Sequence, residues 1–238
     1  MAITITKKGL LEEVSSAENG AYSYILSLLS KDFSNPLEQL LTIPFLYSVW
    51  EKTFKDCTSI TYKGLICKLK KIEDCPLEIK TLIYRTDKTF SANMQLQKDI
   101  LELVINAYKI NEDKGFNHAL IRKNSIYTSS KALLSGVMEL DNKVIPSDFT
   151  SLPIIFKNVN TEVVILNMDV AGIDSTAFTT KHRGNLDRLL SLRQNIAHGN
   201  SFQPVGESQT QELITFTNEL ISDFCKLIKQ KIRSIPFR

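Results

Sequence analysis

Apolar residues recur at helical spacing through much of the chain, and the polar residues between them mark where helices begin. Asn35-Pro36-Leu37-Glu38 reads as a helix start. Asn35 can cap, Pro36 suits the first helical position, and Glu38 completes a capping-box pattern. Leu37, Leu40, Leu41, Phe45, Val49 and Cys57 follow at helical spacing, with Trp50 and Phe54 widening the stripe. Pro44 lies inside this stripe and predicts a kink or a restart. The polar, β-branched patch at 58–61 predicts its end.

Two further helices are predicted at 76–84 and at 94–109, the second carrying Ile100, Leu101, Val104, Ile105 and Tyr108 on one side. Residues 114–156 hold Gly115, Gly136, Pro146 and Pro153 and show no long period. They read as a loop-rich insert with one or two short helices or a small hairpin. Order returns at Asn160-Thr161-Glu162, a cap followed by Val163, Val164, Leu166 and Val170, with Gly172 as the stop. The next helix is predicted over 180–197, with Leu186, Leu189, Leu190 and Ile196 buried. Ser208-Gln209-Thr210-Gln211 reads as the capping box of a last helix bearing Leu213, Ile214, Phe216, Leu220, Ile221, Phe224, Leu227 and Ile228. The pattern predicts an all-α fold, a single domain over 1–238 with an irregular central insert.

Composition changes this little. The 238 residues are 43% hydrophobic and 23% charged, an ordinary globular balance, and nine Gly and seven Pro favour long helices. Cys57, Cys67, Cys75 and Cys225 form no metal-ligand spacing and read as buried thiols of a reducing compartment. No metal site and no cofactor is expected. The first ten residues lack the apolar run of a signal peptide, and no stretch of 18 apolar residues occurs. The expectation is a cytoplasmic protein without membrane partners. A net charge of +3 does not announce a nucleic-acid binder. Lys226, Lys229, Lys231, Arg233 and Arg238 do crowd the C-terminus, either as a solvated helix face or as part of a track for a phosphate backbone.

The chemistry concentrates in Arg193-Gln194-Asn195-Ile196-Ala197-His198, which closes a periodic segment just before Gly199. Imidazole exchanges a proton near neutral pH. Guanidinium grips phosphate with parallel hydrogen bonds. Five helical steps rotate by about 500°, so the two side chains leave a straight helix about 140° apart. They converge only if the helix ends between them, or if a two-fold axis supplies one from each subunit. The plain alternative is a pair of cations opposing the helix macrodipole. His182 lies about 24 Å from His198 along a straight helix and reads as a solvated helix start. His118 carries no assignment.

The segment from Leu189 through Arg193 and His198 to Gly199 resembles the motif helix of the HEPN superfamily. Phe45-Leu46-Tyr47-Ser48-Val49-Trp50-Glu51 looks like the Trp-Glu helix of RiboL-PSP-type members. Residues 160–172 and the segment from Ser208 onward resemble the helices flanking the motif. Many members have asparagine directly after the arginine; here Gln194 stands there and Asn195 comes one later. The resemblance implies a helical bundle that dimerises through the motif helix, and a metal-independent endoribonuclease. His198 would be the general acid or base and Arg193 would hold the scissile phosphate. Gln194 and Asn195 would support them. The products would be a 2′,3′-cyclic phosphate and a 5′-hydroxyl, with DNA resistant. Trp50 reads as core. Glu51 either supports Arg193 or is an exposed helix carboxylate. The partners implied are RNA, a second copy of the chain, and an antitoxin or sensor from a neighbouring gene, in a toxin or antiviral-defence role. The competing reading is a non-catalytic HEPN module that binds nucleotides or partners.

Overall fold

A computed structural model describes residues 5–67, 69, 71–75, 79–80, 142, 158–199 and 203–236. The chain falls into two compact units, Met1–Lys68 with Thr150–Arg238, and Leu69–Phe149. In the second, the described residues include one 3-10 turn, Ile72–Asp74, closed by the Cys75 amide on the Ile72 carbonyl at 2.9 Å. Of the helix expected at 76–84 only residues 79–80 are described, both helical; the helix expected at 94–109, and nearly all of the insert expected at 114–156, lie outside the described residues.

The first unit is helical, as the periodicity predicts. Its described helices are α1 (Lys7–Leu29), α2 (Pro36–Ile66), α3 (Thr161–Val170), α4 (Thr176–Ala197) and α5 (Glu207–Ser234). The first of these has no counterpart among the predicted elements. Its buried stripe of Leu10, Val14, Ala21, Ile25 and Leu28 is interrupted by exposed Gly20 and by exposed Tyr24 and Leu26, which blur the period.

Helix α2 begins as expected, with the Asn35 side chain accepting from the Leu37 amide at 2.9 Å and Pro36 in the first turn. Glu38 instead turns to Lys31, at 3.7 Å, so the reciprocal half of a capping box is not made. Pro44 neither ends nor restarts the helix, and the polar patch at 58–61 does not stop it. The reason is local. Thr61 donates its hydroxyl to the Cys57 carbonyl at 2.8 Å, as Thr53 does to Val49, so these hydroxyls are satisfied within the helix and can be buried.

Helices α1, α2 and α5 pack on one another, α4 lies against α2 and α5, and α3 lies against α4. The centre is aromatic. Trp50, Phe54 and Phe224 meet with ring centroids 5.3 to 5.7 Å apart, Trp50 edge-on to Phe224. Cys57 and Cys225 are buried beside one another, Sγ to Sγ 3.8 Å.

The ends of α4 and α5 decide how the motif is presented. Helix α4 starts at Thr176, one turn before the predicted boundary, and Ile196 is half-buried where a core position was expected. Helix α5 starts at Glu207 behind Gly206 (φ +91°), with no side-chain cap. The predicted capping box at Ser208 is therefore already inside the helix. The Gly206 amide instead donates to buried Gln39 at 2.8 Å, and Gln39 in turn donates to the Phe33 carbonyl at 2.6 Å.

Gly172 ends α3 as predicted. It stands at φ +62°, its amide reaching the Asp169 carbonyl and that of Ile173 the Met168 carbonyl, both at 2.8 Å. A Cβ here would sit in the left-handed region and 3.1 Å from Lys231 Nζ, the movable end of a side chain. Gly172→Ala should cost about 1 kcal/mol, mostly backbone strain. For a domain of this size that lowers the melting temperature by roughly 2–4 °C. An unchanged melting curve would mean the turn is not held as described.

Candidate functional site

The motif occupies the C-terminal end of α4. The helix runs unbroken through Arg193 to Ala197; the His198 amide still reaches the Gln194 carbonyl at 2.9 Å, and Gly199 (φ +69°) follows in the C′ position. The helix thus ends after the pair rather than between its members. Of the two ways to bring Arg193 and His198 together, the first is removed, and the side chains of one chain leave α4 about 140° apart.

Arg193 turns toward α2. Its guanidinium carbon lies 5.3 Å from the centroid of the Tyr47 ring, a cation–π stack, and the side chain is half-buried. It makes no ion pair among the described residues. It lies above the last helical turn and faces an aromatic ring, so it is not a helix-end charge on terminal carbonyls. Tyr47 is itself buried, and its hydroxyl accepts from the Val159 amide at 2.7 Å, which ties α2 to the segment before α3. Burial raises the phenol above its ordinary range; the Val159 hydrogen bond opposes this, the Glu51 charge adds to it, and Arg193 opposes it.

Glu51, one turn beyond Tyr47, is half-buried and pairs with Lys55 at 2.9 Å. No ion pair joins it to Arg193 among the described residues; it reaches Arg193 only through the field around the shared Tyr47. Trp50 is fully buried, as expected. Tyr47, which the sequence pattern did not single out, is the residue that meets Arg193. The signal available was its place one turn before Glu51 on the Trp-Glu helix.

His198 is exposed and its ring has no partner among the described residues. Gln194 and Asn195 stand one turn before it on the same side of α4, the first half-buried and the second exposed. The site in one chain therefore has two halves. One is a guanidinium held against an aromatic face. The other is an exposed imidazole flanked by two amides.

The other basic and histidine residues fall elsewhere. His182 is buried rather than solvated: its Nε2 lies 2.9 Å from Asp223, and its ring packs against Phe178 with centroids 4.8 Å apart. Lys181 donates to the same carboxylate at 2.8 Å and holds it below its usual range, with help from His182. This cluster bolts α4 to α5, which is why a polar residue is tolerated there. Of the C-terminal cations, Lys229 pairs with Glu18 and Lys231 reaches the Gly172 carbonyl at 3.2 Å. These two are internal ties, not a free track for a phosphate chain.

A profile of the HEPN_MAE_28990-like HEPN family matches residues 7–237. The chain belongs to the HEPN superfamily. Within it, the matched family is the HEPN_MAE_28990-like one, where the sequence resemblance had pointed to the RiboL-PSP type. No curated protein and no solved structure matched this HEPN protein. Among the described residues no helix is long and apolar enough to cross a membrane, and no group of three or more His, Cys, Asp or Glu side chains is placed to hold a metal ion.

Proposed function

We propose that this HEPN protein is a metal-independent endoribonuclease whose site is composite, formed where two copies of α4 meet about a two-fold axis. Membership of the HEPN superfamily supports a nuclease or nucleotide-binding module. The observation that carries the finer reading is the state of Arg193: half-buried, stacked on Tyr47 and without a counter-ion among the described residues. A guanidinium in that state gains most from an arriving phosphate.

The chemistry follows from the groups present. The imidazole of His198 takes the proton of a ribose 2′-hydroxyl, and the 2′-oxygen forms a bond to the adjacent phosphorus. Arg193 stabilises the extra negative charge on the phosphoryl oxygens. The bond from phosphorus to the 5′-oxygen breaks, and that oxygen takes a proton from His198 of the partner subunit. Gln194 and Asn195 orient the imidazole or the phosphate. The products are a 2′,3′-cyclic phosphate and a 5′-hydroxyl. In the cell such an activity suits a toxin or an antiviral effector, restrained by an antitoxin or sensor protein.

The test is cleavage of an RNA oligonucleotide with EDTA present, alongside the same oligonucleotide carrying 2′-deoxyribose throughout. Cut RNA with cyclic-phosphate ends and intact DNA are expected. RNA left whole under every condition would favour the non-catalytic module that binds nucleotides or partners. Light scattering of the free protein addresses the second copy: a monomer at the concentrations that cleave would remove the composite site.

A further inference from the structure

Beside the motif lies a cavity that shares Gln194 with it and that the reaction above otherwise leaves unused. It has a volume of about 300 Å³ and is lined by residues at the start of α3 (Asn160, Thr161, Glu162) and on α4 (Arg183, Asp187, Leu190, Ser191, Gln194). That is the lower end of the range for small-molecule sites. Its polar groups have unused hydrogen-bonding capacity. Asp187 accepts from the Thr161 hydroxyl at 2.9 Å through one oxygen, and its second oxygen has no partner among the described residues. Arg183 stands one turn before Asp187 yet makes no ion pair with it, and the side chains of Ser191 and Gln194 make no hydrogen bond among the described residues.

The cavity is aligned with the motif. At about 100° per residue, Arg183, Asp187, Ser191, Gln194 and His198 fall within a sector of about 80° on α4. The stripe thus runs from the cavity to the exposed imidazole on one face. Gln194 belongs to both, about 6 Å before His198 along the helix axis, and Asp187 lies about 16 Å before it. A strand crossing His198 reaches the cavity within a few nucleotides.

Charge decides which part of a nucleotide fits. Two carboxylates, Asp187 and Glu162, face one guanidinium, Arg183, so the cavity repels a phosphate. A base edge is neutral and offers hydrogen-bond donors. Unpaired RNA bases are read in this way, on their edges, when splayed from the strand. A carboxylate accepts from an exocyclic amino group. Uracil has no such group and would set two carbonyl oxygens beside its single ring N–H, against the Asp187 carboxylate.

We propose that the α3–α4 cavity receives the base of a ribonucleotide within a few nucleotides of the scissile phosphate and selects a base with an exocyclic amino group over uracil. The position near the cut rests on the ribonuclease reading; the choice of base does not.

Binding and cleavage are therefore measured separately. His198→Ala protein, whose cleavage is slowed by roughly 10²–10⁴-fold on the ribonuclease reading, is titrated with fluorescein-labelled oligo-A, oligo-C and oligo-U of equal length, checked on a gel to be uncut at the end. Oligo-U should bind about tenfold more weakly than the other two. Asp187→Asn, which keeps an oxygen for Thr161 and gains an N–H₂ donor for a uracil carbonyl, should erase that difference. Ser191→Phe, at an exposed position that fills the cavity, should erase it as well. Equal binding of all three oligomers, or a difference that survives both substitutions, overturns the inference whether or not the wild type cuts RNA. If the wild type cuts, its sites should avoid uridine at one position within a few nucleotides of the cut, and Asp187→Asn should admit it. Cleavage with no such avoidance overturns the inference and leaves the ribonuclease reading standing. Absence of cleavage with the binding difference intact overturns that reading alone.

Discussion

His198→Ala should lower RNA cleavage by roughly 10²–10⁴-fold, the range over which a positioned acid–base group acts. The imidazole is exposed and bonded to nothing among the described residues, so its removal leaves no buried group unsatisfied and little of the fold changes. Melting temperatures of variant and wild type should agree closely. Arg193→Ala should cost about 10²–10³-fold in turnover, typical for loss of a donor that meets developing negative charge. Arg193→Lys should rescue little, because an ammonium on a flexible stem neither stacks on Tyr47 nor presents two parallel donors. Tyr47→Leu tests the platform: loss of a stack worth about 0.5–2 kcal/mol should weaken turnover by roughly 2–30-fold. Wild-type rates in His198→Ala and Arg193→Ala together would sink the site assignment. A mixture of the two variants carries a further signature. A mixed dimer holds one arginine and one histidine at the shared site, where each variant alone lacks one of the two types, so activity above that of either variant should return on mixing, below wild type for want of the second histidine.

The second large effect concerns the core. Phe224→Ala should destabilise the protein by roughly 3–5 kcal/mol, as buried aromatic truncations do. Phe224 is fully buried and touches Trp50, Phe54 and Phe178, so one ring joins α2, α4 and α5. The Trp50 indole N–H is buried with no hydrogen-bond partner among the described residues, so packing alone fixes that side chain. At about 2–4 °C per kcal/mol for a domain of this size, the melting temperature should fall by roughly 6–20 °C. Phe224→Met, closer in volume, should cost about 1.5 kcal/mol or less. Equal melting of Phe224→Ala and wild type would mean that the aromatic centre is not shared between these helices.

Where hydrophobic period and capping chemistry agreed, the sequence was a good guide. Asn35, Asn160 and Gly172 sit where their chemistry put them, and Gly199 follows α4 in the left-handed conformation expected of it. Errors arose where a rule of sequence was overridden by bonding that the sequence does not display. Buried threonines 53, 58 and 61 look polar in sequence but lie in the core, and at 53 and 61 the hydroxyl bonds back one turn, so α2 outlasts its predicted end. His182 looks like a solvated start because its partner, Asp223, is 41 residues away. Ser208 looks like a cap because nothing nearby reveals that Gln39 holds the Gly206 amide from 167 residues away. The candidate site divides the same way. Arg193 and His198 stand out as candidates by their types and spacing. Their separation about α4 followed from helical geometry, whereas the stacking of Arg193 on Tyr47 depended on tertiary packing.

The grip of Gln39 has a consequence for the start of α5. That helix has no side-chain cap of its own, and the amide of Gly206 just before it is held by a buried residue in the first turns of α2. The same side chain holds the Phe33 carbonyl, so one glutamine fastens the entries of two helices at once. A change at Gln39 would therefore be felt 167 residues away in sequence, as fraying at the N-terminus of α5.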